Sequence, residues 1–274
     1  MNINIQHLYL LAPLHTGGTT QEGNLLGIAR ESHTNFPYIP SSTIRGKLRA
    51  SQTDKTLCEQ LFGNELKDGQ PTKNGEPSNE AKQLTQGDIW IGDGSILWLP
   101  VPSLSHGVVW VSCPLLLKRY ARLAGKTQEV EPSYCSFKDE KSQIYLKDAI
   151  LKSSDLTLWS NWEKDFPGAK AQGIDRVLVL PDQHCGTIIQ MGLWRQVKIK
   201  LDEHKSVEAG AFRYEEAIPP DTLMYFSWGL TSQAKQRESS QNTLKGMFKN
   251  GSVLQIGGQE SLGRGFVECF GQLD

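Results

Sequence analysis

Short runs in which apolar residues alternate with polar ones recur along this chain, and they limit its fold more than any other feature. Val197, Ile199 and Leu201 alternate with lysines after Trp194, then Asp202-Glu-His-Lys-Ser206 intervenes and the chain returns through Val207–Tyr214. Period-two spacing on both sides of a polar turn is the pattern of a β-hairpin. Further strands are expected over residues 2–11, with Ile3, Ile5, Tyr9 and Leu11 on one face. Others are expected over Asp88–Leu99, Gly107–Cys113, Arg176–Leu180, Thr222–Leu230, Val253–Ile256 and Phe266–Phe270, with Trp90, Trp98 and Trp110 in the core. Helical spacing is confined to a few segments. Ile44, Leu48, Leu57 and Leu61 follow Ser41 and Ser42, one of which is expected to cap that helix. Pro114–Leu123 carries apolar residues at i, i+4 and i+7 behind an opening proline, and Ser239–Phe248 is a third helix. Hairpins with occasional helices, in place of regular βαβ alternation, predict an α+β fold with a largely antiparallel sheet.

At 274 residues the chain suits one large domain or two small ones, and folding would bury roughly 75% of its unfolded surface. Lys67–Gln86 is polar and poor in apolar residues, so it reads as a surface insertion. Thr127–Asp175 has weaker patterning and reads as a second insertion with some helix of its own. Nothing in the sequence has the length and apolarity of a membrane span, and MNINIQHLYLL lacks a basic leader. Cys58, Cys113, Cys135, Cys185 and Cys269 are odd in number, widely spaced and contain no CxxC pair. Reduced structural thiols in a cytoplasmic protein are expected, with no disulfide framework, no zinc site and no membrane partner.

The 29 Lys and Arg nearly cancel the 30 Asp and Glu, which removes the argument from a globally basic protein to nucleic acid. The signs are nevertheless segregated. Pro37–Thr53 holds Arg45, Lys47 and Arg49 without an acid. No carboxylate lies between Asp93 and Glu129, where Lys118, Arg119, Arg122 and Lys126 occur together. Arg195, Lys198 and Lys200 lie between Asp182 and Asp202, and Glu203, Glu208, Glu215, Glu216 and Asp221 follow. Such runs are either solvated surface balanced by acids folded nearby, or a local groove for a phosphate backbone.

Two segments suit anions. In Pro40-Ser-Ser-Thr-Ile-Arg-Gly-Lys-Leu-Arg49, free amides at a helix start, the hydroxyls of Ser41, Ser42 and Thr43, and the cations Arg45, Lys47 and Arg49 could hold one or two phosphates. A plain capped surface helix would look the same, although Gly46 inside it costs about 1 kcal/mol against alanine and suggests close approach of another backbone. The second segment, Gly257-Gly258-Gln-Glu-Ser-Leu-Gly263-Arg264-Gly265, is either an anion-binding loop or a tight hairpin. It lacks the spacing and the βα setting of a dinucleotide fingerprint. His15, in a Gly- and Thr-rich loop after the first strand, is placed for acid–base work, as are Glu215 and Glu216 before Pro219-Pro220. Nucleophile-elbow, P-loop, HExxH and glycosidase patterns are absent from the sequence.

Leu14-His15-Thr-Gly-Gly and the run Ala29-Arg30-Glu31-Ser-His33-Thr34-Asn-Phe36-Pro37-Tyr-Ile-Pro40 through Arg49 resemble the RAMP superfamily of CRISPR proteins. More narrowly they are similar to the repeated backbone subunits of type III-B (Cmr) effectors. Matching motifs continue in order at Leu61-Phe-Gly63, Gly87-Asp88 to Asp93, Leu97–Val101, Val109–Pro114, Gly210–Glu216, Pro220–Thr222 and Ile256–Gly265.

The resemblance implies a single domain over 1–274 with an RRM-like (ferredoxin-like) core extended by a β-hairpin thumb; the patterning puts the insertions at about 64–87 and 127–175 and the thumb at the basic hairpin, about 180–214. It implies a chain that binds guide RNA (crRNA) and complementary target RNA, beside other copies of itself and other type III effector subunits. The helix near Ser41 and the loop of Gly257, Gly258 and Arg264 would grip guide phosphates across one cleft, with no cofactor required. The family's target cleavage relies on an aspartate between the first strand and the Arg-Glu-x-His-Thr segment. Counting back from Arg30-Glu31 puts Leu26 there, and a leucine can neither take a proton nor ligate metal. Little or no nuclease activity is therefore expected. Two alternatives remain: Mg2+-dependent cutting of target RNA at regular intervals, with Glu22 substituting beside His15, Glu215 and Glu216, and a stand-alone endonuclease that processes repeat RNA.

Overall fold

The computed structural model describes residues 3–18, 21–22, 25–64, 85–126, 130–137, 143–147, 149–166, 169, 172–200, 202–206 and 212–271. Most of the expected polar insertion, and residues 201 and 207–211 of the expected thumb, lie outside the described residues.

The chain folds as α+β around a 13-stranded mixed sheet. Its centre runs in the order Gly94–Ser103, Leu223–Leu230, Asn4–Leu10, Phe266–Phe270, Ser252–Gln255, and every neighbouring pair there is antiparallel. Beyond Gly94–Ser103 the sheet continues through Gly107–Ser112 and then, in parallel, Val177–Val179. The first strand is central, so both its faces are covered. Leu8 and Leu10 join one core, while Ile5 and Tyr9 pack with the other, as period-two side-chain direction requires. Ile3 and Leu11, expected on the same face as Ile5 and Tyr9, flank the strand and are exposed.

The two cores lie on opposite faces of the sheet. One is closed by the helices Ser41–Ser51, Lys55–Phe62 and Arg237–Met247, through Ile44, Leu48, Leu61, Phe62 and Leu244. The other is closed by Leu117 and Tyr120 of the helix Pro114–Leu123, together with Val130, Trp159, Trp162, Phe166 and Ile174. The segment read as a second insertion thus supplies part of a core layer. Trp98 sits at the centre of that core, edge-on to Trp162 and Phe166. Trp110 is buried as expected, whereas Trp90 is only half-buried.

Three local expectations are corrected. The periodicity running from Ile44 to Leu61 belongs to two helices, because Gln52 turns extended and Asp54 starts a new helix by accepting from the amides of Thr56 and Leu57. Neither Ser41 nor Ser42 caps the first helix. Pro40 occupies the cap position, and the Asp93 carboxylate reaches across from the sheet to the Ser41 amide at 2.6 Å. Finally, Asp182–Gly192 forms a helix that the strand reading of this region overlooked.

The expected hairpin is present: Trp194–Lys198 pairs antiparallel with Arg213–Ala217. Its turn closes where Asp202 and Ser206 bond through their backbones and the Asp202 carboxylate accepts from the amides of His204 and Ser206. This hairpin belongs to a separate four-stranded sheet with Leu25–Leu26 and Gln21–Glu22. The five cysteines are free thiols, and no helix among the described residues is long and apolar enough to cross a membrane.

Candidate nucleic-acid interface

The small sheet brings together residues far apart in sequence. Glu215 and Glu216 are adjacent on one strand and therefore point to opposite faces, and each meets one cation of the hairpin and one from the main body. Glu216 binds Arg30 at 2.6 Å and Arg195 at 3.0 Å; Glu215 binds Lys198 at 2.9 Å and Arg264 at 3.1 Å. Both glutamates are buried. Burial by itself works against the Glu215 carboxylate. The hydrogen bond and charge of Lys198, the Gln259 amide and Arg264 outweigh it, so its pKa lies below the usual range.

Arg264 is consumed inside the fold. Its guanidinium donates to Glu215, to Gln259 at 2.5 Å and to Gln196 at 2.7 Å, and it lies 4.4 Å above the Trp194 ring. The glycine-rich loop around it is shaped by backbone contact with the His15 segment. Gly258 donates its amide to the His15 carbonyl at 2.9 Å, and Gly265 donates to Pro13. Gly257 and Gly265 both have positive φ; a Cβ would lie 2.4 Å from the His15 oxygen at the first and 1.9 Å from the Ile256 oxygen at the second. His15 is itself buried, with Nδ1 at 2.9 Å from the Glu216 carbonyl.

In front of these residues lies a cleft of about 530 Å³, lined by Arg30, Glu31, Arg195 and Glu216 together with Leu25 and Pro40. The amino end of the first helix reaches this cleft at Pro40, but the glycine loop does not line it. The two anion-friendly segments expected to wall one cleft are therefore apart. Leu26, the position reached by counting, pairs beside Glu215 in the small sheet, and its neighbour Leu25 faces the cleft. Glu22 lies on the strand paired to Leu25. Across the cleft, Arg119 clamps Glu31 with two nitrogens at 2.5 and 3.1 Å, and Thr34 donates to the same carboxylate at 2.5 Å. Burial opposes the Glu31 charge, yet these contacts hold its pKa below the ordinary value.

On the first helix, Arg45 and Arg49 both turn to the carboxyl end of the neighbouring helix. Arg45 bonds the Phe62 carbonyl and Arg49 bonds that of Gly63 at 2.9 Å, the position where a helix dipole favours cations. Lys47 has no ion-pair or hydrogen-bond partner among the described residues, and Ser42 is exposed. Gly46 is open: a Cβ there would meet nothing within 4 Å among the described residues. The cleft's four ionic residues were missed as a set because residues 30, 31, 195 and 216 share no local spacing.

Among the described residues, no three His, Cys, Asp or Glu side chains group closely enough to hold a metal ion. The carboxylates at the cleft, Glu31 and Glu216, are already committed to arginines.

Residues 7–268 match the RAMP superfamily. The chain belongs to this superfamily. RAMP membership is joined by a more specific likeness: the chain is 31% identical over 288 residues to the CRISPR system Cmr endoribonuclease Cmr4 of Pyrococcus furiosus, covering 95% of this chain and 92% of that protein. A crystal structure of oligomeric Cmr4 from Pyrococcus furiosus superposes with a TM-score of 0.68 and 26% identity, covering 98% of this chain and 97% of the other. A chain of type III-B Cmr-beta bound to cognate target RNA, solved by cryo-EM, reaches a TM-score of 0.74 over 97% and 96% of the two chains. At 18% identity that last likeness concerns the fold alone.

Proposed function

We propose that this RAMP protein is a guide-RNA-binding backbone subunit of a type III CRISPR effector that targets RNA in the cytoplasm, with little or no cleavage of its own. Copies of the chain stack along the guide beside other effector subunits. The observation that carries the binding role is the end-to-end likeness to oligomeric Cmr4. The order of the four central strands supports an RRM-like core: fourth, first, third, second in chain sequence, with the helices Ser41–Ser51 and Arg237–Met247 packed on one face. The hairpin Trp194–Ala217 is the thumb, anchored at its root by Glu215 and Glu216.

The guide's phosphates meet the open face of the first helix at Ser42, Thr43 and Lys47. Ser41, Arg45, Arg49, Gly257, Gly258 and Arg264 shape that face and the His15 segment from within. The cleft's chemistry supports the reading of weak nuclease function. Leu25 and Leu26 offer no acid, Glu215 and Glu216 are each bound to two cations, and the lowered pKa of Glu215 disfavours it as a proton acceptor. The described residues do not fit a catalytic Mg2+ site, and binding needs no metal.

Purifying the chain with its co-expressed effector partners and extracting the RNA tests the reading. A guide bearing repeat-derived sequence, protected in regular segments, is expected. A complex that assembles without guide RNA, or an isolated chain that cuts repeat RNA at one site, would overturn it.

A further inference from the structure

The basic run between Asp93 and Glu129 is used by none of the contacts assigned above, except where Arg119 clamps Glu31. On the helix Pro114–Leu123, Lys118, Arg119 and Arg122 border a groove of about 430 Å³ whose walls are the apolar Pro114, Leu115 and Leu123. The acid at this groove, Asp182, already accepts the Leu115 amide at 2.9 Å. Lys118 and Arg122 have no ion-pair or hydrogen-bond partner among the described residues. They stand one helical turn apart on the same face, about 6 Å along the axis.

The groove and the cleft touch. Arg119 lines the groove, Glu31 lines the cleft, and the two are bonded at 2.5 Å. Cations therefore border both depressions, Lys118 and Arg122 at the groove and Arg30 and Arg195 at the cleft, with the Arg119–Glu31 pair between them. An unpartnered acidic protein would satisfy Lys118 and Arg122 equally well, but it would have no reason to follow cations into the cleft. A polyanionic strand does, and the apolar groove walls suit ribose and base faces between its phosphates.

We propose that Lys118 and Arg122 form a phosphate track for the target RNA strand, carrying it from the cleft over the Pro114–Leu123 helix. The inference rests on the guide-binding reading and adds to it a second contact surface that serves the target and not the guide. Lys118, half-buried and lining the groove, makes the nearer contact. Arg122, more exposed, meets the next phosphate.

The test uses guide-loaded complex assembled with wild-type chain or with the Lys118→Gln/Arg122→Gln chain, titrated with labelled complementary RNA at several salt concentrations. Guide content should stay unchanged. Target affinity should fall roughly tenfold at 0.15 M salt, and the slope of log affinity against log salt should drop by about 1.5, as for two lost phosphate contacts. The Lys118→Arg/Arg122→Lys chain should restore both. Unchanged affinity and slope would overturn the proposal, as would loss of guide in place of target, or loss of a protein subunit with the target slope intact. A wild-type complex that holds no guide would instead sink the functional reading beneath it.

Discussion

Arg30 and Glu216 meet at 2.6 Å although 186 residues separate them in sequence, and their contact joins the segment after the first strand to the root of the hairpin. Glu216 is nearly inaccessible, Arg30 is about one-fifth exposed, and Arg195, the second partner, is more than half exposed. Replacing Glu216 by Gln leaves Arg30 without its counter-charge in a partly dry site, at a cost of roughly 3 kcal/mol. Arg195→Gln removes a screened, solvated partner and should cost under about 1 kcal/mol. Urea unfolding of the purified chain checks both, and the ordering of the two variants is the decisive readout.

His7 supplies a pH prediction. It is fully buried in the first strand, stacked on Phe270 and bonded to the Tyr120 hydroxyl at 3.0 Å. Burial, with a smaller contribution from the charge of Lys126, pushes its pKa down to about 4. The unfolded chain takes up a proton near pH 6.5 and the folded chain does not until about pH 4. Stability from the neutral imidazole is therefore complete above pH 6.5 and is lost as the pH falls towards 4, by up to about 3 kcal/mol. A His7→Gln chain should lack this slope when melting temperatures are compared across that range.

Gly46 distinguishes the free chain from the assembled one. Because a Cβ there meets nothing, Gly46→Ala should stabilise the isolated chain by about 1 kcal/mol through helix propensity. On the proposed reading the helix face at Gly46 packs on the guide backbone in the complex, so the same methyl should lower guide retention. Thermal melts of the chain and RNA recovery from the complex measure the two effects separately.

Leu25 and Leu26 are one residue apart but face different surroundings. Leu25→Asp places a carboxylate in the cleft near Arg30, and complex carrying it should gain metal-dependent cutting of complementary RNA. Leu26→Asp sets the acid beside Glu215 and should yield no cuts. Gel analysis of end-labelled target after incubation with Mg2+ compares them.

Elements whose signal is local were legible before the fold was known. The helix Pro114–Leu123 has the bounds its opening proline and apolar spacing predict, and the Asp202–Ser206 turn sits between the expected strands. The helix Asp182–Gly192 was hidden by two glycines, although Cys185, Ile188 and Ile189 carry i, i+3 and i+4 spacing that would have revealed it. Features that depend on distant partners left no trace. Asp93 at the start of the first helix, Phe62 and Gly63 as acceptors for Arg45 and Arg49, and the enclosure of Arg264 by Gln196, Glu215 and Gln259 arise only once the sheets are assembled. Segregated charge in the sequence correctly marked where cations cluster, but it could not separate Arg119, spent on Glu31, from Lys118 and Arg122, which remain unpaired among the described residues.

The central claim, an RNA-binding subunit whose cleft lacks the means to cut, is tested most directly by incubating the guide-loaded complex with end-labelled complementary RNA and Mg2+. The expected result is bound, full-length target. Cuts at regular intervals that disappear with His15→Ala or Glu22→Ala would contradict it.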